Sequence, residues 1–390
     1  VNPGLLKIFD EILVNAIDNK QRCPAMTTIK VTVDSDTGTI TVFNDGDGIP
    51  VVVHPTYNTY IPSLIFGQLL SGTNFDDTSR KVTGGRNGFG AKLTNIYSTE
   101  FRVETVSHGK RFVQVFHNHM EIADPPQISD APNTPDFTEI RFRPDFALFG
   151  LKGLDADCIA LLRRRVLDIA GVSDGKIQTY FNGERQPIRD FKQFVAAFAK
   201  SLPIPPAGEI VFGESPRWTF AVVPTRAEGV SPVNVSFVNG ISTSRGGRHV
   251  THLVEQLVAG TQPLLEKRLK RPVKPSVIRP NLSVFCSCQI ENPSFDTQTK
   301  EFLTTPVKAF GSSPRVSESL CQKVVKSGLL TLVAESLRVK DEVSLRRGSG
   351  AKTTRILGIP KLDDANNAGT RRSEEATLIV TEGDPADRKS

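Results

Sequence analysis

The sequence lacks a run of the roughly 18 apolar residues that would mark a membrane-spanning helix. Its opening residues also lack the charged segment and apolar core of a secretory signal peptide, and they lead directly into a helical pattern. We therefore expect no membrane partner. We also expect the 390 residues to be a piece of a longer protein.

Cysteine is scarce and scattered, with residues at Cys23, Cys158, Cys286, Cys288 and Cys321. An odd number without the spacing of a disulfide framework indicates reduced thiols in an intracellular compartment. Cys286 and Cys288 lie two residues apart in a strand-like run, so we expect them to share one sheet face and to pack in a core rather than bind metal. The six histidines do not complete a zinc site, because His117 and His119 lie in a strand-like stretch without a cysteine pair nearby.

The remaining composition is ordinary for a globular protein, with 38% hydrophobic and 23% charged residues. The length suits two or three domains. A formal net charge of +6 permits a polyanionic partner but does not require one.

Hydrophobic periodicity alternates between helix and strand along the chain. Segments 29–33 and 39–43 are predicted to pair as a hairpin, and segment 124–135, rich in Pro, Asp and Ser, is predicted to be a surface loop. The predicted helices include 61–70, 154–170, 249–269 and 316–340. The last of these is long enough to act as a rigid lever.

Four polar residues, Glu11, Asn15, Asp18 and Asn19, recur on one face of the first predicted helix. Such a face is ordinarily the solvated side of an amphipathic helix. Two details favour a binding role: asparagine is a poor former of helix interiors, and the face has few of the Lys and Glu residues that coat exposed helices. An Asn carbonyl can ligate Mg²⁺, and Glu11 can take a proton from an attacking water.

Two glycine-containing segments follow this helix. Asn44-Asp45-Gly46-Asp47-Gly48 is either a simple turn or the wall of a pocket for a flat base, with Asn44 reading the base edge. Residues 84–90 contain four glycines and precede a helical pattern, so they are either a flexible linker or a phosphate-binding loop assisted by Lys92. The order of helix, turn and loop favours a nucleotide pocket built without a Walker-type loop.

Residues 7–20 resemble the helix of the Bergerat-fold (GHKL) ATPases, a superfamily that includes DNA gyrase, the ninety-kilodalton chaperones, MutL proteins and histidine kinases. Within this superfamily, further segments resemble eukaryotic type II DNA topoisomerase, namely 65–70, 83–92, 244–250, 295–300 and 359–366. The resemblance implies an α+β fold. A Bergerat ATPase sandwich of helices on a mixed sheet (1–187) would precede a ribosomal-S5-like α/β transducer domain (188–348), a connector (349–375) and the truncated start of a Toprim domain (376–390).

The resemblance also implies roles for individual residues. Glu11 would be the general base for attack of water on the γ-phosphate of ATP, Asn15 would ligate Mg²⁺, and Asn44 would contact adenine. Lys300 and Gln298 would reach the γ-phosphate from the transducer domain. Further nucleotide contacts are implied for Asp18, Asn19, Gly72, Thr73, Asn74, Gly85, Arg86, Asn87, Gly88, Phe89, Gly90, Ala91, Lys92 and Thr299.

The partners implied by the resemblance are double-stranded DNA and a second copy of the chain. ATP-driven dimerisation would capture a DNA segment, in the nucleus or in another DNA-containing organelle. The basic residues Lys267, Arg268, Lys270 and Arg271 are then either a solvated surface or a sequence-independent contact to DNA phosphates.

At the C-terminal end, Glu382 would be the first ligand of an incomplete Toprim metal site, which one carboxylate cannot complete. Pro385 stands where the family has Ser, and the chain ends before the cleavage tyrosine. We therefore expect ATP hydrolysis without DNA cleavage. The alternatives are another GHKL conformational ATPase, of the chaperone or mismatch-repair clamp type, and a DNA-binding scaffold with a degenerate pocket.

Overall fold

The computed structural model describes residues 2–68, 90–173, 175–201, 207–226 and 232–348, together with 365, 367 and 371–377. In the helix that ends at residue 348, side chains are described as far as residue 341. The chain divides into two compact units, Val1–Leu329 and Leu330–Ser390. The first unit contains both of the large sheets.

Helix α1 (Pro3–Arg22) is the element around which the candidate site is built. The side-chain oxygen of Asn2 caps it by accepting a hydrogen bond from the Gly4 amide at 2.7 Å. Pro3 occupies the first helical position, where no backbone hydrogen bond is lost. The apolar residues that recur at helical spacing are buried, namely Leu5, Ile8, Phe9, Ile12, Leu13 and Ala16.

A nine-stranded sheet is formed by described residues in the first half of the chain. The strands of this region are β1 (Thr28–Asp34), β2 (Thr39–Asn44), β3 (Val53–His54), β4 (Thr59–Tyr60), β5 (Ser98–Ser107), β6 (Lys110–His117), β7 (Ile122–Ala123), β8 (Gln127–Asp130), β9 (Phe137–Pro144), β10 (Gln178–Phe181) and β11 (Glu184–Arg185). β3 and β4 form a separate hairpin, and the others join in the order β11-β10-β1-β2-β9-β5-β6-β7, with β8 also paired to β6. Only β1 and β10 run parallel among these pairs, so the sheet is mixed, as predicted.

Helices α2 (Ile61–Gly67), α3 (Gly90–Ile96) and α4 (Ala156–Val172) pack with α1 against this sheet. In β1 the residues Ile29, Val31 and Val33 alternate inward, as a strand with one buried face requires. Their side chains and those of the helices form one continuous apolar core. The predicted hairpin is confirmed by the antiparallel pairing of β1 and β2. The predicted helix over 61–70 is confirmed as far as Gly67.

A second sheet joins the strands in the order β12-β13-β16-β14-β15. Its strands are β12 (Val211–Ser215), β13 (Trp218–Pro224), β14 (Asn234–Val238), β15 (Ile241–Ser242) and β16 (Leu282–Cys288). Helices α5 (Phe191–Lys200), α6 (Arg248–Leu269), α7 (Pro275–Ile278) and α8 (Glu318–Val324) belong to the same region. Phe194, Phe237 and Phe285 lie in its core. The division of the chain after residue 187 stays a prediction.

All five cysteines are free and buried, and Cys286 and Cys288 pack inside the second sheet, as expected. Within the described ranges, no group of three or more His, Cys, Asp or Glu side chains is placed to hold a metal ion. No described helix combines the length and the apolar character needed to cross a membrane.

The prediction that 124–135 is entirely a loop is wrong. Residues Gln127–Asp130 form β8, which pairs with β6 and is exposed along its whole length. An exposed edge strand buries neither face, so its sequence carries no apolar alternation by which it could be recognised.

The prediction of one continuous helix over 316–340 is also wrong. α8 ends at Val324, and Gly328 has a φ of 121° before α9 (Leu330–Gly348) begins. Only glycine adopts such a φ without strain. The interruption therefore lies at the one residue type that permits it.

Candidate nucleotide site

The middle of α1 carries a buried carboxylate. Glu11 is only 4% exposed, although an ionised carboxylate is seldom this buried unless it is paired. Its partners therefore define the site.

Two lysine ammonium groups hold the Glu11 carboxylate. Lys300 Nζ lies 2.9 Å from Oε1 and 3.3 Å from Oε2, and Lys7 Nζ, one helical turn before Glu11, lies 2.7 Å from Oε1. Burial raises the pKa of the Glu11 carboxyl, but the charges of Lys300 and then Lys7 more than offset it, so the pKa is lowered. Glu11 is therefore ionised at neutral pH.

Lys300 comes from a loop that follows β16, and this loop is fastened to segment 244–250. The Arg245 amide donates to the Glu301 carbonyl at 3.1 Å, and the Arg245 guanidinium pairs with Asp296 at 2.8 Å. Two segments that the resemblance singled out separately are thus one structural piece. That piece delivers a cation to α1.

The other members of the Gln298-Thr299-Lys300 triplet do not reach Glu11. Gln298 and Thr299 are exposed, and the Thr299 hydroxyl shares a hydrogen bond of 2.7 Å with Thr297. The structure therefore brings only Lys300 of this triplet to the carboxylate. The nucleotide contacts of the other two residues stay predictions.

The start of α3 lies directly against Glu11. A Cβ at Gly90 would overlap the Glu11 carboxylate, so only glycine allows this approach. The Thr94 hydroxyl donates to the Ile8 carbonyl at 2.8 Å and ties α3 to α1. Lys92 is buried in the same helix, and burial lowers its pKa to about 8. Of the predicted lid, Gly90, Ala91 and Lys92 are described, and Gly85–Phe89 lie outside the described residues.

The turn after β2 is tied to the last part of α1. Asn19 Nδ2 donates to Asn44 Oδ1 at 3.0 Å and to the Asp47 carbonyl at 3.1 Å. The Asp45 carboxylate accepts the Thr27 and Thr28 amides at 2.9 Å and 2.7 Å, which fixes the turn against the start of β1. Asn44 is buried at the end of β2. The structure thus brings Asn19 and Asn44 together.

Asn15 and Asp18 lie between these two ends of α1. Asn15 is half-buried, and in the described part of the chain no side-chain hydrogen bond engages it. Asp18 is buried. The polar face of α1 is therefore not a solvated surface: it meets α3 and the Lys300 loop near Glu11, and the turn after β2 near Asn19.

Sequence reasoning missed the charged residues next to the site. Arg165 of α4 donates from Nε to Asp10 Oδ1 at 2.8 Å and from Nη1 to Asp168 Oδ2 at 2.9 Å. Asp10 precedes Glu11 but faces α4. Lys7 was also missed, although its spacing of four residues from Glu11 is the helical spacing at which ion pairs form.

The remaining predicted residues belong to α6 and the segment after it, or lie outside the described residues. Lys267 and Arg268 lie in the last turn of α6, Lys270 and Arg271 follow the helix, and all four are exposed. Gly72, Thr73, Asn74 and Glu382 lie outside the described residues, as do Arg86, Asn87 and Gly88.

Two family models match the sequence that forms this site. The model described as histidine kinase-, DNA gyrase B- and HSP90-like ATPase matches residues 1–142, which include α1, the turn after β2 and α3. The DNA gyrase B model matches residues 190–349, which include the Lys300 loop. The fold and the site thus define an ATPase region of the gyrase B kind.

Similarity to individual proteins identifies a narrower family within this class. DNA topoisomerase 2 of Saccharomyces cerevisiae is 44% identical over 98% of this chain, which covers 28% of that protein. The crystal structure of the ATPase region of the Saccharomyces cerevisiae enzyme superposes with a TM-score of 0.80 at 45% identity, covering 86% of each chain. The ATPase and transducer domains of DNA topoisomerase II from Balamuthia mandrillaris superpose with a TM-score of 0.80 at 42% identity, covering 87% of this chain and 86% of that one.

The chain belongs to the DNA topoisomerase II family, in the part of it that comprises the ATPase region. It spans about a quarter of the length of the curated relatives it matches. Because the chain belongs to this family, it is not a member of the chaperone or mismatch-repair families of such ATPases.

Proposed function

We propose that the chain binds and hydrolyses ATP as the ATP-operated gate of a type II DNA topoisomerase. The observation that carries this proposal is the contact of Lys300 with the buried Glu11 carboxylate at 2.9 Å. A loop that follows the second sheet thereby reaches the helix packed on the first. A buried, ionised carboxylate next to a cation from another part of the chain suits both proton transfer and the sensing of a phosphate.

In this proposal Glu11 accepts the proton of the water that attacks the γ-phosphate. Its lowered pKa keeps it deprotonated at neutral pH, which a general base requires. Gly90 lets the start of α3 approach the carboxylate closely. Backbone amides at that helix start would face the phosphates.

Asn15 fits a role as a magnesium ligand. Its amide is half-buried without a side-chain partner in the described ranges, and an amide oxygen is a hard donor of the kind Mg²⁺ takes. Mg²⁺ usually keeps several waters and binds through one or two protein oxygens plus phosphates, so a single Asn suffices. When bound, the ion would offset the negative charge of the triphosphate.

Lys300 would exchange the Glu11 carboxylate for the γ-phosphate when ATP binds. Both are anions, and a buried ammonium requires one of them. The position of the loop that carries Lys300 would then report whether the third phosphate is present. Asn44, held by Asn19, would read the edge of the adenine base.

The partners in this proposal are a second copy of the chain and double-stranded DNA. Binding of ATP would favour the dimer, and the dimer would enclose a DNA segment. The exposed basic residues at the end of α6, Lys267, Arg268, Lys270 and Arg271, would contact DNA phosphates without reading sequence. A nuclear location is part of the same proposal.

Replacing Glu11 by Ala tests the proposal. We expect nucleotide binding to persist, while the turnover of ATP falls by about 10²–10⁴-fold, the usual contribution of a general base. Binding is measured with a non-hydrolysable analogue and turnover by phosphate release. Glu184→Ala is the matched control, because the Glu184 side chain is 72% exposed. Turnover retained in Glu11→Ala would refute the assignment of Glu11 as the base.

A further inference from the structure

Two lysine ammonium groups contact the single carboxylate of Glu11, although one cation would balance its charge. Lys7 and Lys300 both contact Oε1, at 2.7 Å and 2.9 Å. Their side chains are 15% and 10% exposed, so neither ammonium is a freely hydrated surface group. The two lysines differ in origin: Lys7 lies on the same helix as Glu11, and Lys300 lies on a loop far along the chain.

The other charged side chains near α1 are paired with groups other than Glu11 or are buried in a neighbouring helix. Arg165 of α4 is paired with Asp10 and Asp168. In α3 the charged residue is Lys92, which is buried, and α3 meets Glu11 through the uncharged Gly90. β2 brings no charged side chain. Among the described residues, the charge environment of Glu11 is therefore set chiefly by Lys7 and Lys300.

The two lysines cannot behave alike when a phosphate arrives. Lys300 can leave, because its loop belongs to a separate sheet region. Lys7 is fixed one turn from Glu11 on an uninterrupted helix, so it stays within reach of the carboxylate. Without Lys7, the departure of Lys300 would leave a buried carboxylate with no cation, which is strongly unfavourable. The carboxylate would then take up a proton or keep Lys300.

We propose that Lys7 is a positioning residue for Glu11, which holds the carboxylate ionised and in place when Lys300 transfers to the γ-phosphate. This inference rests on the proposed function of Glu11 and Lys300 and adds to it a residue that remains with the base. Lys7 does not touch the nucleotide in this scheme. It acts through Oε1 of Glu11.

The first test needs no activity. The side-chain carboxyl of Glu11 is followed by ¹³C NMR in the nucleotide-free protein, with its resonance assigned by its loss in Glu11→Gln. Lys7→Gln removes a cation that favours the ionised form, so we expect the Glu11 resonance to titrate at higher pH than in the wild type. Lys7→Arg, which keeps the charge, and Lys110→Gln, an exposed control, should titrate as the wild type does. An unchanged titration in Lys7→Gln would overturn the proposal.

The second test uses the pH profile of ATP turnover. In Lys7→Gln the acidic limb of kcat should move to higher pH and kcat at neutral pH should fall on the order of tenfold to a hundredfold, with KM nearly unchanged and Lys7→Arg restoring both. A lower kcat with an unmoved limb, or no rescue by Arg, would show a merely structural role. If the wild type shows no turnover while the NMR shift is present, the proposed function fails and the contact between Lys7 and Glu11 stands.

Discussion

Asp10 and Glu11 are neighbours in α1 but their carboxylates face different partners. Glu11 meets Lys7 and Lys300, and Asp10 meets Arg165. Each charge is buried, so each needs its partner in order to remain ionised without a large penalty. The helix that carries the proposed base is thereby held from two sides by charge.

The Arg165 pair predicts a specific loss of stability. Arg165→Met would leave the buried Asp10 carboxylate without its cation, while Asp168 would keep its pair with Arg164 at 2.8 Å. Removing one partner of a buried pair costs about 3–5 kcal/mol. Urea unfolding of the chain measures this. Arg163→Met, two residues earlier on the same helix, loses an exposed pair with Glu184 and a hydrogen bond of 3.3 Å to the Gln186 side chain. It should change stability by only about 1 kcal/mol.

The double variant Asp10→Asn with Arg165→Met should recover part of the loss, because the carboxylate that Arg165→Met leaves unpaired is then neutral. Equal destabilisation in Arg163→Met and Arg165→Met would contradict the interpretation of a buried pair.

At the residue scale, the sequence was informative where polar residues stood in unusual positions. Glu11 and Asn19 were predicted as site residues because asparagine is a poor former of helix interiors and their helix face has few Lys and Glu residues. Asn44 was predicted because it ends a strand directly before a turn with two glycines. Lys7 could not be singled out, because a lysine four residues before a glutamate is ordinary on any solvated helix. Only the burial of the pair distinguishes it.

Among the elements, Gly328 separates α8 from α9. Its φ of 121° is strained for any residue with a Cβ, which would also lie 3.0 Å from the Ala207 carbonyl oxygen. Gly328→Ala should therefore reduce the free energy of unfolding by about 1–3 kcal/mol.

Gly153→Ala is the control for this prediction, because nothing lies within 4 Å of its added Cβ and its φ is not positive. It should be neutral or slightly stabilising, through reduced freedom of the unfolded chain. If Gly328→Ala is equally neutral in thermal or urea unfolding, the positive φ at this residue is not what separates α8 from α9.

The predicted and observed elements agree where the sequence itself dictates the local structure. The hairpin of β1 and β2 was predicted because apolar alternation and a turn sequence agree. β8 was not, because an exposed edge strand has no buried face to impose alternation. The break at Gly328 was missed because a single glycine within a helical pattern is commonly tolerated, and the contact with Ala207 that accompanies it comes from far along the chain.

For the whole molecule, the proposal predicts an assembly that depends on nucleotide. A non-hydrolysable ATP analogue should raise the dimer fraction in sedimentation equilibrium, because Lys300 would move to the γ-phosphate and carry its loop with it. Lys300→Met should lose most of this response, whereas Lys308→Met, an exposed lysine in the same region, should keep it. A chain that remains monomeric at saturating analogue would contradict the gate.

Helix α1 joins the two ends of the candidate site without interruption. Glu11 and Asn19 are separated by about 12 Å along the helix axis at 1.5 Å per residue, and Asn19 holds the turn at Asn44. In the proposed complex, a nucleotide anchored at that turn by its base would meet Glu11 only with a phosphate chain of matching length. A diphosphate anchored in the same way would end one phosphate short. Cleavage of the last phosphate and the return of Lys300 to its carboxylate would then be parts of one event.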